Sequence, residues 1–90
     1  MTVLKKAKLK LTVDLMNNRD ENAVQTAKKS LLSISGIGRF LGLTMKSKSQ
    51  LDRARERRIY AMQFENATLD LDTITNPNTR TQLVNGFNLQ

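Results

Sequence analysis

The sequence predicts a small α+β domain with an N-terminal strand, two to three helices and an extended C-terminal segment. Three observations support this fold class. Apolar and polar residues alternate near the N-terminus, apolar residues recur at helical spacing in the middle, and the last third is polar with turn-forming residues. A chain of 90 residues suits one small domain, which buries only about 60 to 65% of the surface that its unfolded chain exposes. A second copy or another subunit would therefore add stability.

The first element is predicted to be a strand because polarity alternates over Lys8–Leu15. Lysine, threonine and aspartate occupy the even positions and leucine or valine the odd ones, which is the period of a strand with two different faces. A helix over the same residues would also collect apolar side chains on one face, but it would leave Leu9, Val13 and Met16 exposed. The strand is preferred because the alternation accounts for all eight residues.

Two helices are predicted to follow. Residues 19–34 carry apolar side chains on one face and polar side chains on the other, and Asn18 with Glu21 approximates a helix-starting box. Gly36 is placed to end this helix in the left-handed conformation. Ser49 is the predicted N-cap of the next helix, which runs to about residue 66. Between them, the segment RFLGLTMKSKS is compatible with a short helix or with an extended piece.

The last part of the chain is predicted to be extended. The segment ATLDLDTI alternates and is compatible with a strand that has Asp70 and Asp72 on its solvent side, TNPNT is typical of a turn, and RTQLVNGFNLQ offers one helical turn. We therefore divide the chain into a basic strand-helix-helix domain over residues 1–66 and a polar arm over residues 67–90, packed on the domain or on a neighbouring subunit. Because such an arm would fray alone, a homo-oligomer is expected.

The composition argues against an enzyme. The chain has neither cysteine nor histidine, so it lacks a thiolate nucleophile, the usual zinc ligands and the commonest general base. We expect no catalytic residue, no metal and no cofactor. No apolar segment is long and uninterrupted enough to span a membrane, and the absence of cysteine fits a cytoplasmic or virion setting.

Positive charge is concentrated in the first two-thirds of the chain. Residues 1–58 contain fourteen bases and five acids, whereas residues 59–90 contain one base and three acids. A basic block of this kind commonly binds a polyanion, whose counterions are released on binding. Nucleic acid, with DNA as the first candidate, is therefore the predicted partner. The alternative is that the bases only solvate the surface, or that they face an acidic protein or membrane headgroups.

The segment KLKLTVDL, followed by an amphipathic helix and then a basic one, resembles the order of elements in ribbon-helix-helix DNA-binding proteins. The resemblance covers residues 7–16. It implies that the strand enters the major groove of DNA with Lys8, Lys10 and Thr12 facing the groove. The alternative is an edge strand whose lysines prevent aggregation.

The segment LLSISGIGRFLGLTM resembles the helix-hairpin-helix motif over residues 31–45. In that motif a turn flanked by glycines, here Gly36 and Gly38, joins two short helices, and the second helix offers backbone N–H groups to a phosphate. The resemblance implies that Arg39 and Lys46 assist this contact with the DNA backbone. A plain loop between two helices is the alternative.

The segment RARERRIY lies within the predicted helix that starts at Ser49. At helical spacing Arg53, Arg57 and Tyr60 share one stripe, and Arg58 flanks the apolar stripe. Guanidinium groups beside an aromatic ring suit phosphates and stacked bases. The same layout also suits a protein partner.

These patterns predict a small, basic, non-enzymatic protein that binds nucleic acid through phosphate contacts, for example a dimeric DNA-binding regulator. The predicted nucleic-acid-binding residues are Lys5, Lys6, Lys8, Lys10, Thr12, Arg39, Lys46, Arg53, Arg57, Arg58 and Tyr60. The alternative prediction is a structural or assembly subunit of a virion or another large complex, whose basic face binds acidic protein surfaces.

Overall fold

The computed structural model describes residues 2–16 and 23–90, which form two helices followed by four strands. In chain order the elements are α1 (Val3–Met16), α2 (Ala23–Leu32), β1 (Phe40–Gln50), β2 (Glu56–Phe64), β3 (Thr68–Asn76) and β4 (Thr81–Leu89). The strands form one antiparallel sheet in the order β1-β2-β3-β4, so each strand pairs with the next along the chain. The predicted α+β fold, with its N-terminal strand and extended C-terminal segment, is therefore wrong.

The N-terminal element is the helix α1, and the predicted strand is wrong. Ala7, Leu11 and Leu15 recur every four residues and are buried, whereas Leu9 and Met16 are 56% and 76% exposed. The segment contains both a period of two and a helical period. The helical period prevails because α2 and the sheet cover one side of the element, and a helix is the conformation that brings these buried residues to that side.

This correction also affects the first motif resemblance. A ribbon-helix-helix protein needs a strand over residues 7–16, and these residues belong to α1. Lys8, Lys10 and Thr12 consequently do not line one strand edge. They point in different directions around a helix, because successive helical residues are rotated by about 100°.

The helix predicted over residues 19–34 is present as α2, although its predicted starting box, Asn18 and Glu21, lies outside the described residues. Gly36 adopts a φ of +100°, which confirms the left-handed conformation predicted after the helix. The buried residues of α2 are Ala23, Ala27, Ser30 and Leu31.

The segment RFLGLTMKSKS is extended, because residues 40–50 form β1. The second helix that a helix-hairpin-helix motif requires is therefore not formed. Gly36 and Gly38 instead belong to the connection between α2 and the sheet, where the backbone N–H of Asn66 donates a hydrogen bond of 3.0 Å to the carbonyl of Ile37. The glycines join two layers of the fold and do not form a phosphate-binding turn between helices.

The predicted helix that starts at Ser49 is also wrong. Residues 51–55 form a turn in which the Asp52 carboxylate accepts hydrogen bonds from the backbone N–H groups of Ala54 and Arg55, at 2.9 and 2.7 Å. Asp52 thus stabilises the turn between β1 and β2. Ser49, the predicted N-cap of a helix, lies in β1. The chain continues as β2.

Alternating burial explains why β2 is a strand. Met62 and Phe64 are fully buried, and Gln63 between them is exposed. The strand also contains Ile59 and Tyr60, whose side chains favour extended structure. A helix would spread these residues around its circumference, whereas the strand brings the buried ones onto a single face.

The C-terminal third completes the sheet. The segment predicted to be compatible with a strand is β3, and residues 77–80 form the predicted turn. The helical turn predicted after it is wrong, since residues 81–89 form β4. Gln90 and Thr68 exchange two backbone hydrogen bonds of 3.0 Å each, which ties the end of the chain to the start of β3.

The two faces of the sheet differ. One face, here called the helix face, packs against α1 and α2, and the other, here called the open face, carries no helix of the described residues. Pairing of β2 with β3 places Arg57, Asp70 and Asp72 on the open face. The residues that form the core are Ala7, Leu11, Leu15, Ala23, Ala27, Leu31, Ile37, Met62, Phe64, Ala67, Leu69, Leu71 and Leu89.

The domain is elongated, with extents of 42 × 24 × 16 Å. Within residues 2–16 and 23–90, no helix has the length and apolar character required to cross a membrane.

Candidate nucleic-acid interface

The helices carry lysines without carboxylate partners. Six lysines lie in the described parts of residues 2–34, together with one acid, Asp14. Lys10 pairs with Asp14 across one helical turn at 3.3 Å. No ion pair within the described residues involves the other five, which we call the helical lysines: Lys5, Lys6, Lys8, Lys28 and Lys29.

The helical lysines of α1 are open to solvent. Lys5, Lys6 and Lys8 are exposed, whereas the buried residues of α1 are Ala7, Leu11 and Leu15. Thr12, which had been predicted to contact the groove, uses its hydroxyl to donate a hydrogen bond of 2.8 Å to the carbonyl of Lys8. The lysines are thus the side chains of this group best placed to meet an anion.

The helical lysines of α2 were not predicted as site residues. Lys29 is exposed, and the ammonium of Lys28 lies 4.2 Å from the centre of the Phe40 ring. Phe40 is partly buried and packs edge-to-face on the buried Phe64 at 5.5 Å, so the contact with Lys28 connects α2 to β1. The amphipathic pattern of residues 19–34 could have revealed Lys29, because that pattern places it on the polar side.

The predicted bases on the open face are paired with aspartates. The Lys46 ammonium lies 3.0 Å from Asp70. The Arg57 guanidinium donates two hydrogen bonds to Asp72, from Nε at 3.0 Å and from Nη2 at 2.7 Å. This guanidinium lowers the pKa of the Asp72 carboxyl, and the Asn85 amide lowers it further. The pairing raises the pKa of Arg57 in turn.

Arg58 and Tyr60 lie on the helix face, so the predicted stripe that joined Arg57 to Tyr60 is not formed. Arg58 Nε lies 2.5 Å from Glu56, and its Nη1 donates a longer hydrogen bond of 3.4 Å to the Tyr60 hydroxyl. Lys48 approaches the same Glu56 carboxylate at 3.7 Å. Tyr60 is half-buried beside this cluster.

The remaining predicted bases lie near the ends of the sheet. Arg39 pairs with Glu65 at 3.2 Å beside the turn between β2 and β3. Arg53 is exposed in the turn between β1 and β2. Arg80, which sequence analysis did not single out, lies in the turn after β3 with a φ of 54°. Arg53 and Arg80 flank the same end of the sheet, because Glu56 pairs with Thr75 there.

The open face contains a shallow groove of about 410 Å³. Its polar lining includes Lys46, Asp70 and Asp72, and these charges are already matched within the protein. Among the described residues, no three acidic side chains converge in a way that could hold a metal ion.

The groove therefore offers an anion little uncompensated positive charge. The helical lysines offer much more uncompensated positive charge.

No protein-family model, curated protein or solved structure matches the chain.

Proposed function

We propose that this protein binds nucleic acid without catalysing a reaction, and that the helical lysines make the phosphate contacts. The proposal rests on one observation: the helical layer and the sheet layer differ in how many of their bases are paired with carboxylates. The described helical residues contain six lysines and one acid, whereas residues 39–90 contain eight bases and five acids. Every one of those five acids lies in an ion pair with a base of residues 39–90.

This difference determines which bases can bind phosphate readily. A base that is already paired must exchange its carboxylate for a phosphate and leave that carboxylate unpaired. An exposed lysine exchanges only water and small counterions, and release of condensed counterions from the nucleic acid favours binding. Among the predicted residues of the helices, Lys5, Lys6 and Lys8 are therefore the strongest contacts. Arg53 of the sheet layer meets the same condition, because it is exposed and lies in no ion pair of the described residues. The paired bases, such as Lys46 and Arg57, are weaker ones.

Several finer expectations belong to the same proposal. DNA is the first candidate nucleic acid, the protein acts as a homo-oligomer, and its setting is the cytoplasm or a virion. The lack of cysteine supports the setting, since no disulfide is needed. Because residues 7–16 belong to α1 and not to a strand, the proposed contacts are those with the nucleic-acid backbone, which position a protein without specifying a sequence.

A salt titration with generic duplex and single-stranded DNA tests the proposal. The triple variant Lys5→Gln, Lys6→Gln, Lys8→Gln is compared with a control that removes the same charge from paired positions, Arg39→Gln, Lys46→Gln, Lys48→Gln. We expect the wild-type affinity to fall steeply with salt. The slope of log affinity against log salt should decrease by about 2.7 in the test variant, at about 0.9 for each lost duplex phosphate contact.

The control should change the slope by less than half as much. Circular dichroism checks that both variants are folded. Equal losses in the two variants would contradict the assignment to the helical lysines. Absence of binding by the folded wild type at low salt would contradict nucleic-acid binding altogether.

A second candidate function, a structural or assembly subunit, is favoured by exposed aliphatic side chains on β1. Leu43 and Met45 lie on the helix face beyond the cover of the helices and are nearly half exposed. Phosphates do not engage such side chains, whereas an acidic protein surface with an apolar centre would. If the titration detects no DNA binding, this candidate becomes the better explanation of the basic surface.

A further inference from the structure

The two edges of the sheet differ in charge. β1 carries Lys46 and Lys48, and its pairing with β2 is interrupted at two places. Lysines and bulges on an edge strand oppose the addition of another strand. β4, at the opposite edge, has one irregularity in its pairing with β3, at Asn85, but it contains no charged residue between Thr81 and Leu89. β4 therefore lacks the lysines that oppose the addition of another strand at β1.

The outer edge of β4 also presents backbone hydrogen-bonding groups. Gln90 and Thr68 exchange two hydrogen bonds, and inward and outward residues alternate along an antiparallel ladder. The backbone groups of Asn88 and Gly86 accordingly point towards β3. Those of Phe87 and Leu89 point away from it, towards the open edge. A strand placed there could pair with them.

α1 extends this edge into a larger surface. A groove of about 180 Å³ lies between the C-terminal half of α1 and β4, lined by Thr12, Leu15, Met16, Val84, Gly86 and Phe87. Met16 is 76% exposed, more than any other large hydrophobic side chain of the described residues. The edge therefore combines unpaired backbone groups with apolar side chains, which are the two components of a strand-pairing interface.

We propose that β4 pairs antiparallel with β4 of a second copy, which joins two sheets into one of eight strands. A second copy suits this surface because its own β4 is equally uncharged, so no like charges meet across the twofold axis. A charged peptide strand would find no partner on β4 itself. Asn88 is an exposed amide that can both donate and accept hydrogen bonds, so it needs no charged partner on the second copy.

The proposed dimer has a geometric consequence. The twofold axis of a continuous antiparallel sheet stands perpendicular to the sheet, so both helical layers lie on the same side. Met16 of each copy then covers the seam between the two β4 strands. The helices that carry the helical lysines of both copies therefore lie on the same side of the joined sheet. The dimer does not depend on nucleic-acid binding, but it would double the surface proposed for it.

Solution mass measured by light scattering and by sedimentation equilibrium tests the dimer. We expect the full chain to show twice its monomer mass of 10.2 kDa at high concentration. The double variant Met16→Lys, Asn88→Lys should weaken dimerisation by about tenfold or more, because like charges then face each other across the axis. Both positions are exposed, so folding should be retained, which circular dichroism checks.

The control of equal charge places two lysines on the other edge, Ser47→Lys with Ser49→Lys, and should leave the dimer unchanged. A monomer at all concentrations would overturn the proposal. A dimer weakened more by the control than by the double variant would also overturn it.

Chemical cross-linking identifies the paired strand independently. The chain has no cysteine, so a single introduced cysteine reports contacts between copies only. With a short bismaleimide reagent, Asn85→Cys should form covalent dimers and Ser49→Cys should not. The reverse result would place the interface at β1 and overturn the assignment to β4.

Discussion

At the scale of single residues, Asp72 shows how the sheet uses its acidic side chains. Its carboxylate accepts two hydrogen bonds from Arg57 and one of 3.2 Å from Asn85, so three strands meet at one side chain. Planar guanidinium and carboxylate groups suit this two-bond arrangement better than a lysine would. The sequence predicted that Asp72 faces solvent, and in the structure the open face is where it finds its partner.

Asp72→Asn should lower the free energy of unfolding near neutral pH, because it removes the charge that Arg57 pairs with. The pKa of Asp72 is lower in the folded protein than its ordinary value of 3.8. The stabilisation that ionised Asp72 gives to the folded protein is therefore complete above the ordinary pKa. It is lost as the pH falls through the lowered pKa of the folded protein. The difference between wild type and variant, measured by urea denaturation, should be steady from pH 7 to about pH 5 and vanish towards about pH 2.

Arg57→Gln removes the same pair from the other side and should show the same convergence with wild type in acid. A difference that stays constant down to the lowest pH would contradict the ion pair as its source.

At the scale of elements, α1 is the segment whose sequence fits two different conformations. Its sequence satisfies a strand over eight residues and a helix over fourteen. In the strand, Leu9 and Leu11 would share one buried face. In the helix, Leu11 is fully buried and Leu9 faces solvent. The two alternatives therefore differ in what they predict for a chemically matched pair of substitutions.

Leu11→Ala should reduce the free energy of unfolding by about 2 to 5 kcal/mol, because it removes buried methyl groups and leaves a cavity. Leu9→Ala should change it by no more than about 0.5 kcal/mol, as expected of an exposed side chain. Urea denaturation monitored by circular dichroism measures both. Equal losses would support the strand and contradict α1.

At the scale of the whole molecule, the fold depends on how the helices are joined to the sheet. The connection passes through Gly38, whose φ is +86°. A Cβ atom at this position would lie 2.6 Å from the Cβ of Glu65, in the turn between β2 and β3. Glycine thus permits both the backbone conformation and the close approach of the two layers.

Gly38→Ala should destabilise the protein by about 1 to 3 kcal/mol, because the backbone is left-handed and the added methyl group collides with Glu65. Gly42→Ala in β1 is the matched control, since a Cβ there meets nothing within 4 Å. Thermal unfolding should separate the two variants clearly. Similar melting temperatures would contradict the close contact at Gly38.

Charge compensation is also a property of the whole molecule. Lys46 of β1 and Arg57 of β2 pair with acids that lie 24 and 15 residues away in the sequence. These bases are therefore less available to an outside anion. Sequence analysis counted bases and acids along the chain, and counting cannot show which bases are paired. The helical lysines are identified as a group only when the sheet acids have been assigned to their partners.

The sequence by itself determined the features that depend on composition or on nearest neighbours. These are the positive charge, the lack of histidine and cysteine, the amphipathic helix α2, its left-handed end at Gly36, and the alternating strand β3. Only the tertiary structure decided that α1 is a helix, that the basic segment of β2 is a strand, and which lysines lack a carboxylate. The physical reason is that a short segment with two periodicities satisfies both conformations locally, and burial against distant elements selects one of them. The pairing of charges is non-local in the same way, because a sheet brings together residues that are far apart in the chain.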